Sequence, residues 1–123
     1  MNGKTACRIY LIRHGETANA GEVCFNGHFD VDLSDQGKEQ SRRIAEALKN
    51  LPIKAIYSSD LKRTQIGAQY VAVEHDLKHT PCEELRELAF GDWEGLSISE
   101  VNLRYPDKLK ERLQNIELFQ VEG

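Results

Sequence analysis

No apolar run in this 123-residue chain is longer than four residues, far short of the roughly 20 that a membrane-spanning helix requires. Met1 to Ala6 lead into no hydrophobic segment, so neither a signal peptide nor a transmembrane helix is read, and a cytoplasmic protein is expected. Cysteine is scarce and odd in number. Cys7, Cys24 and Cys82 form no CxxC spacing, which fits reduced thiols better than a disulfide framework. Cys24 and His28 have no second pair beside them, so they read as part of a solvated loop and no metal is expected. Basic charge is in deficit as well: 16 Lys and Arg stand against 20 Asp and Glu, a net charge of −4. That argues against a nucleic acid or an anionic membrane as partner. Repeats, linkers and low-complexity tracts are missing, and 40% hydrophobic residues suffice for a core, so residues 1–123 are expected to form one domain.

Against that background Ile9-Tyr10-Leu11-Ile12-Arg13-His14-Gly15-Glu16-Thr17 stands out. The spacing predicts a buried strand over about Cys7 to Ile12, with Gly15 letting the backbone turn or approach a ligand. His14 would sit at the strand's carboxyl end, the edge where open α/β sheets bind ligands, beside the anion-binding guanidinium of Arg13. Ala18 to Leu33 shows neither hydrophobic period. A loop of that length is usually functional, and its Asn26-Gly27 turn signal between Phe25 and Phe29 suggests a lid whose aromatics reach a substrate.

Ser34 and Asp35 read as the cap and first turn of a helix to about Asn50, carrying Ile44, Leu48 and Leu51 on one face. Pro52 helps end it, and Ile53 to Tyr57 reads as a second strand parallel to the first. Ser58, Ser59 and Asp60 offer caps for a second helix running to Glu74, with Arg63 in its first turn. Because parallel strands end on one edge, Arg63 and the free N–H groups of that helix should face the ground held by Arg13 and His14. An alternative for Arg63 is an ion pair with Asp60 three residues earlier. Gly67 inside the helix suggests a close contact there. His75 and His79 fall in a polar connector and are given surface roles.

Cys82 to Gly95 looks like a packed functional loop. Glu87, between Leu85 and Leu88, reads either as a partly buried proton donor or as a salt-bridged surface glutamate. Ser97-Ile98-Ser99-Glu100 is a capping box opening a short helix that Tyr105-Pro106 closes, and an amphipathic helix follows from about Asp107 with Leu109, Leu113 and Ile116 on one face.

Three stretches together, Leu11 to Thr17, Tyr57 to Arg63 and Leu85 to Gly95, resemble the histidine phosphatase superfamily with its Arg-His-Gly motif. The resemblance implies an α/β class, a three-layer α/β/α phosphoglycerate mutase-like fold with a mostly parallel sheet. It also implies a phosphomonoester hydrolase working through a phosphohistidine, without metal or cofactor. His14 would be the nucleophile and Glu87 the proton donor and acceptor. Arg13 and Arg63 would hold the phosphate, and Asn26 and Gly27 would belong to the substrate loop. Phe25 to Asp30 and Phe90 to Gly95 look most like the α-ribazole phosphatase branch of cobalamin synthesis, and a small-molecule phosphate ester is the expected partner. The chain departs from the family's pattern with Ala20 where asparagine is common, Cys24 where arginine is common and Gly67 where threonine is usual. The family's second histidine, in a Ser-His-Gly-like stretch, has no counterpart, and Val121-Glu122-Gly123 resembles the start of a further segment, so a C-terminally truncated domain is read. Three readings stay open: an enzyme, a phosphate-binding module without turnover, or a phosphoglycerate mutase-type transferase. A homodimer completing its sheet across an interface is a further expectation.

Overall fold

The computed structural model describes residues 5–114 and Val121. Two helices and two short strands form its centre. Helix α1 (Asp35–Leu48) starts where expected, with the Ser34 hydroxyl accepting from the Gly37 amide, and buries Ser41 and Ala45. Strand β1 (Ile56–Ser58) leads through helix α2 (Lys62–Glu74) to strand β2 (His79–Pro81), and the strands pair in parallel with Ile56 opposite His79. Helix α2 packs on α1 and touches both strands. At Gly67 the closeness expected from sequence is only ordinary: an added Cβ would lie 3.7 Å from the Ser41 hydroxyl.

The parallel pair is therefore not the one the sequence suggests. Residues 7–12 form no strand, and Ile9 and Leu11 are 74% and 93% exposed. A central strand is held by ladders on both sides and cover on both faces. The described residues supply neither to this segment. The partner of β1 is instead His79–Pro81, in the stretch read as a connector, so His75 and His79 are half-buried rather than surface groups. The His79 ring lies 3.5 Å from the Gln65 amide oxygen, and His75 Nε2 is secluded without a hydrogen-bond partner among the described residues.

A second packing centre lies around Trp93, which is 2% exposed, with Phe90 and Val101. Phe25 joins it, its ring 5.2 Å from both Phe90 and Trp93, so this aromatic is a packing residue as much as a lid residue. Helix α3 (Ile98–Arg104) opens on the expected capping box, in which Ser97 and Glu100 satisfy each other's backbone N–H groups. Helix α4 (Pro106–Gln114) follows directly. Leu109 packs toward the Trp93 cluster, whereas Ile116 and the residues after Val121 lie outside the described residues.

Candidate active site

The turn that carries His14 is docked on the first turn of α1. A Cβ added at Gly15 would strike the Gly37 backbone, and one added at Gly37 would strike the Glu16 carbonyl, so two glycines let two backbones touch. Polar bonds fasten the same junction. The Glu16 amide donates to Gln40 Oε1 at 2.9 Å, and the Ser34 hydroxyl donates to the Glu16 carboxylate at 2.7 Å. His14 is half-buried, with Nδ1 2.8 Å from the Gly15 carbonyl. A carbonyl can only accept, so a neutral His14 carries its proton on Nδ1 and keeps a lone pair on Nε2.

Arg63 faces the same cavity from α2 and is the most completely buried charged side chain among the described residues, at 2% exposure. Its guanidinium donates from Nη2 to the Gly27 carbonyl at 2.6 Å and from Nη1 to the Phe29 carbonyl at 2.8 Å. Gly27, at φ +50°, adopts the left-handed geometry that turns its carbonyl inward, as the Asn26-Gly27 signal suggests. Asp60 does not pair with Arg63. It takes a two-point grip from Arg86, at 2.6 and 2.7 Å, which holds its carboxyl below the ordinary range.

The cap of α2 also differs from expectation. Leu61 occupies the cap position and its side chain has no acceptor to offer, while Asp60 is committed to Arg86. Asp30 acts instead from a distant loop, its carboxylate accepting from the Lys62 amide at 2.7 Å. One N–H of the helix start is thus already occupied and does not face a ligand.

Glu87 lies 3.8 Å from Arg63 through Oε2, and its side chain is 54% exposed, so of its two readings it is the salt-bridged surface glutamate and not the partly buried donor. Its backbone is held better than its side chain. The His28 ring, half-buried rather than solvated, lies 3.0 Å from the Glu87 carbonyl, and Glu94 Oε1 accepts from the His28 and Phe90 amides, both at 3.0 Å. Arg86, Glu94 and His28 are the anchors that sequence reasoning assigned no role. The weak signal for the first was its position beside Glu87.

Arg13, His14, Asn26, Arg63 and Glu87 all line one cavity of about 550 Å³. Gly27 meets it indirectly, through the carbonyl that orients Arg63. Arg13 is exposed. Thr17, Asn19 and Asn26 form a neutral wall: the Thr17 hydroxyl donates to Asn19 Oδ1 at 2.8 Å, and Asn19 Nδ2 donates to Asn26 Oδ1 at 2.8 Å. Among the described residues no group of three or more His, Cys, Asp or Glu is arranged to hold a metal ion, and no helix is long and apolar enough to cross a membrane. Two cations, a half-buried imidazole with a free lone pair and a carboxylate beside one cation together suit an anionic, tetrahedral group.

Comparison with known proteins shows which family the chain falls in. The model of the histidine phosphatase superfamily (branch 1) matches residues 9–123. Phosphoglycerate mutase-like protein 4 of Arabidopsis thaliana is 40% identical over 104 residues, 83% of this chain and 45% of that protein. The native structure of a mycobacterial glucosyl-3-phosphoglycerate phosphatase superposes with a TM-score of 0.76 at 31% identity, over 89% of this chain and 51% of the other. The α-ribazole phosphatase of Shigella flexneri superposes with a TM-score of 0.81 at 25% identity, over 89% and 55%. The chain spans about half the length of the relatives it matches. It belongs to the histidine phosphatase superfamily, with the phosphoglycerate mutase-like α/β fold.

Proposed function

We propose that this member of the histidine phosphatase superfamily binds a phosphate monoester and hydrolyses it through a phosphorylated His14. The observation that carries the reading is the Gly15 carbonyl on His14 Nδ1, which leaves Nε2 as a nucleophile in the cavity that buried Arg63 lines. His14 Nε2 attacks phosphorus, a P–N bond forms and the P–O ester bond breaks. Glu87 supplies a proton to the departing alkoxide. Water then attacks the phosphohistidine, Glu87 takes the water's proton, the P–N bond breaks and inorganic phosphate leaves. Arg63 and Arg13 hold the non-bridging oxygens, and fixed positive charge around a transferring phosphoryl group supplies much of the catalysis in such reactions.

The substrate we favour is α-ribazole 5′-phosphate. Its support is the resemblance of Phe25 to Asp30 and Phe90 to Gly95 to that branch, together with the superposition on the Shigella flexneri enzyme. A second reading, phosphate binding without turnover, is favoured by one feature: among the described residues lining the cavity, His14 is the sole imidazole. Incubating the chain with p-nitrophenyl phosphate and with α-ribazole 5′-phosphate separates the two. Turnover that His14→Ala reduces to background supports the enzyme, whereas a phosphate-dependent rise in Tm without turnover supports the binder.

A further inference from the structure

A second cavity, of about 530 Å³, adjoins the phosphate cavity and shares Asn19, Glu22 and Cys24 with it. Ser97, Ser99 and Glu100 belong to its far wall. The wall common to both cavities is a hydrogen-bonded seam. Cys24 bridges Ser97 in antiparallel fashion, flanked by Phe25 N–H to the Leu96 carbonyl and Ile98 N–H to the Val23 carbonyl, both at 2.9 Å. Across this seam the arginines are lost. Arg13 and Arg63 line the first cavity beside Glu16, Glu87 and the shared Glu22; the second has two carboxylates, the shared Glu22 and Glu100, and no Lys, Arg or His among its described lining residues. The Cys24 thiol, on the shared wall, lies close enough to feel both carboxylates of the second cavity. Its pKa is pushed up by burial first, and then by the negative charges of Glu22 and Glu100.

A phosphate monoester has two ends, and the phosphoryl end is drawn to the arginines. We infer that the second cavity receives the alcohol end, and that it selects neutral, hydroxyl-bearing alcohols against alcohols carrying a carboxylate. This rests on the phosphate-site reading given above. Hydroxyl groups entering the cavity find acceptors in Glu22 and Glu100 and donors in Asn19 and Ser99, whereas a ligand carboxylate meets two like charges and no basic partner. Discrimination of this kind works by repelling the wrong ligand as much as by holding the right one.

The test uses calorimetric titration of the whole chain at pH 7.5 and low salt with inorganic phosphate, glycerol 3-phosphate and 3-phosphoglycerate. The two esters share a three-carbon skeleton and differ in a hydroxymethyl group against a carboxylate. The expected result is that 3-phosphoglycerate binds roughly 5-fold more weakly than glycerol 3-phosphate, with the ratio shrinking to about 2-fold or less in high salt and in Glu100→Gln, which lines the second cavity alone and keeps the capping box. Equal binding of the two esters, or a ratio untouched by Glu100→Gln, overturns the inference while phosphate binding keeps the site reading intact. A wild-type chain that binds no inorganic phosphate overturns both.

Discussion

Arg63 and Arg13 line the same cavity, but they stand on very different supports. Arg63 is buried, bonded to two carbonyls, and carried on a helix whose start is capped by Asp30 from a loop distant in sequence. Arg13 is exposed and follows an apolar segment, Ile9 to Ile12, that has no strand ladder. The difference teaches where the site is preorganised. A guanidinium already fixed loses little freedom when it meets an anion, whereas one on an extended segment must be ordered at the moment of binding. The α2 side of the cavity should therefore carry most of the grip on phosphate, and the Arg13 side should add less.

The largest effect should come from the arginines themselves. Arg63→Ala is expected to weaken inorganic phosphate binding about 100-fold and to lower stability by roughly 3 kcal/mol, since the Gly27 and Phe29 carbonyls lose charged donors. Arg13→Ala is expected to cost about 10-fold in binding, and Lys62→Ala, at an exposed position, less than about 2-fold. Equal losses at Arg63 and Lys62, read by calorimetry, would break the comparison.

A smaller effect should appear on the acid side of the stability profile. Arg86 holds the Asp60 carboxyl below its ordinary value, so between the two values the folded chain binds fewer protons than the unfolded one. The contribution is complete above about pH 4 and is lost as pH falls through the folded value. Thermal melts should therefore show the wild type losing more Tm between pH 5 and pH 3 than Asp60→Asn does. A parallel decline would mean that the grip does not hold in solution.

The smallest effect should lie on the exposed side of the comparison. Leu11→Ser is expected to change stability by less than about 0.5 kcal/mol, since Leu11 is already almost wholly in water. A loss of about 2 kcal/mol or more in denaturant unfolding would show the segment packed in solution and erase the contrast.

The same contrast explains what could be read from the residues alone. Ser34 and the Ser97 capping box were legible because a cap is local chemistry, written within four residues of the helix it starts. Arg63 was legible as a cavity residue through its place after β1, though its pairing with Asp60 was the wrong alternative. The strand over Cys7 to Ile12 was over-read because an apolar run has strand character only when partners complete it. His79–Pro81 was missed for the opposite reason: three residues with no alternation pair only because β1 lies beside them. Asp60 with Arg86, and Glu94 with the His28 amide, join residues 26 and 66 positions apart, and no spacing rule reaches that far. Of the two readings of Glu87, the structure shows the salt-bridged surface glutamate and not the partly buried donor, since Leu85 and Leu88 are themselves exposed.

The central claim is that His14 accepts the phosphoryl group. Its most direct test is to mix the chain with a labelled phosphate ester, quench in alkali, which preserves a P–N bond, and locate the label by mass spectrometry. The account predicts label on His14 alone, absent from His14→Ala and strongly reduced in Arg63→Ala. Label on another residue, or turnover that survives in His14→Ala, would contradict it.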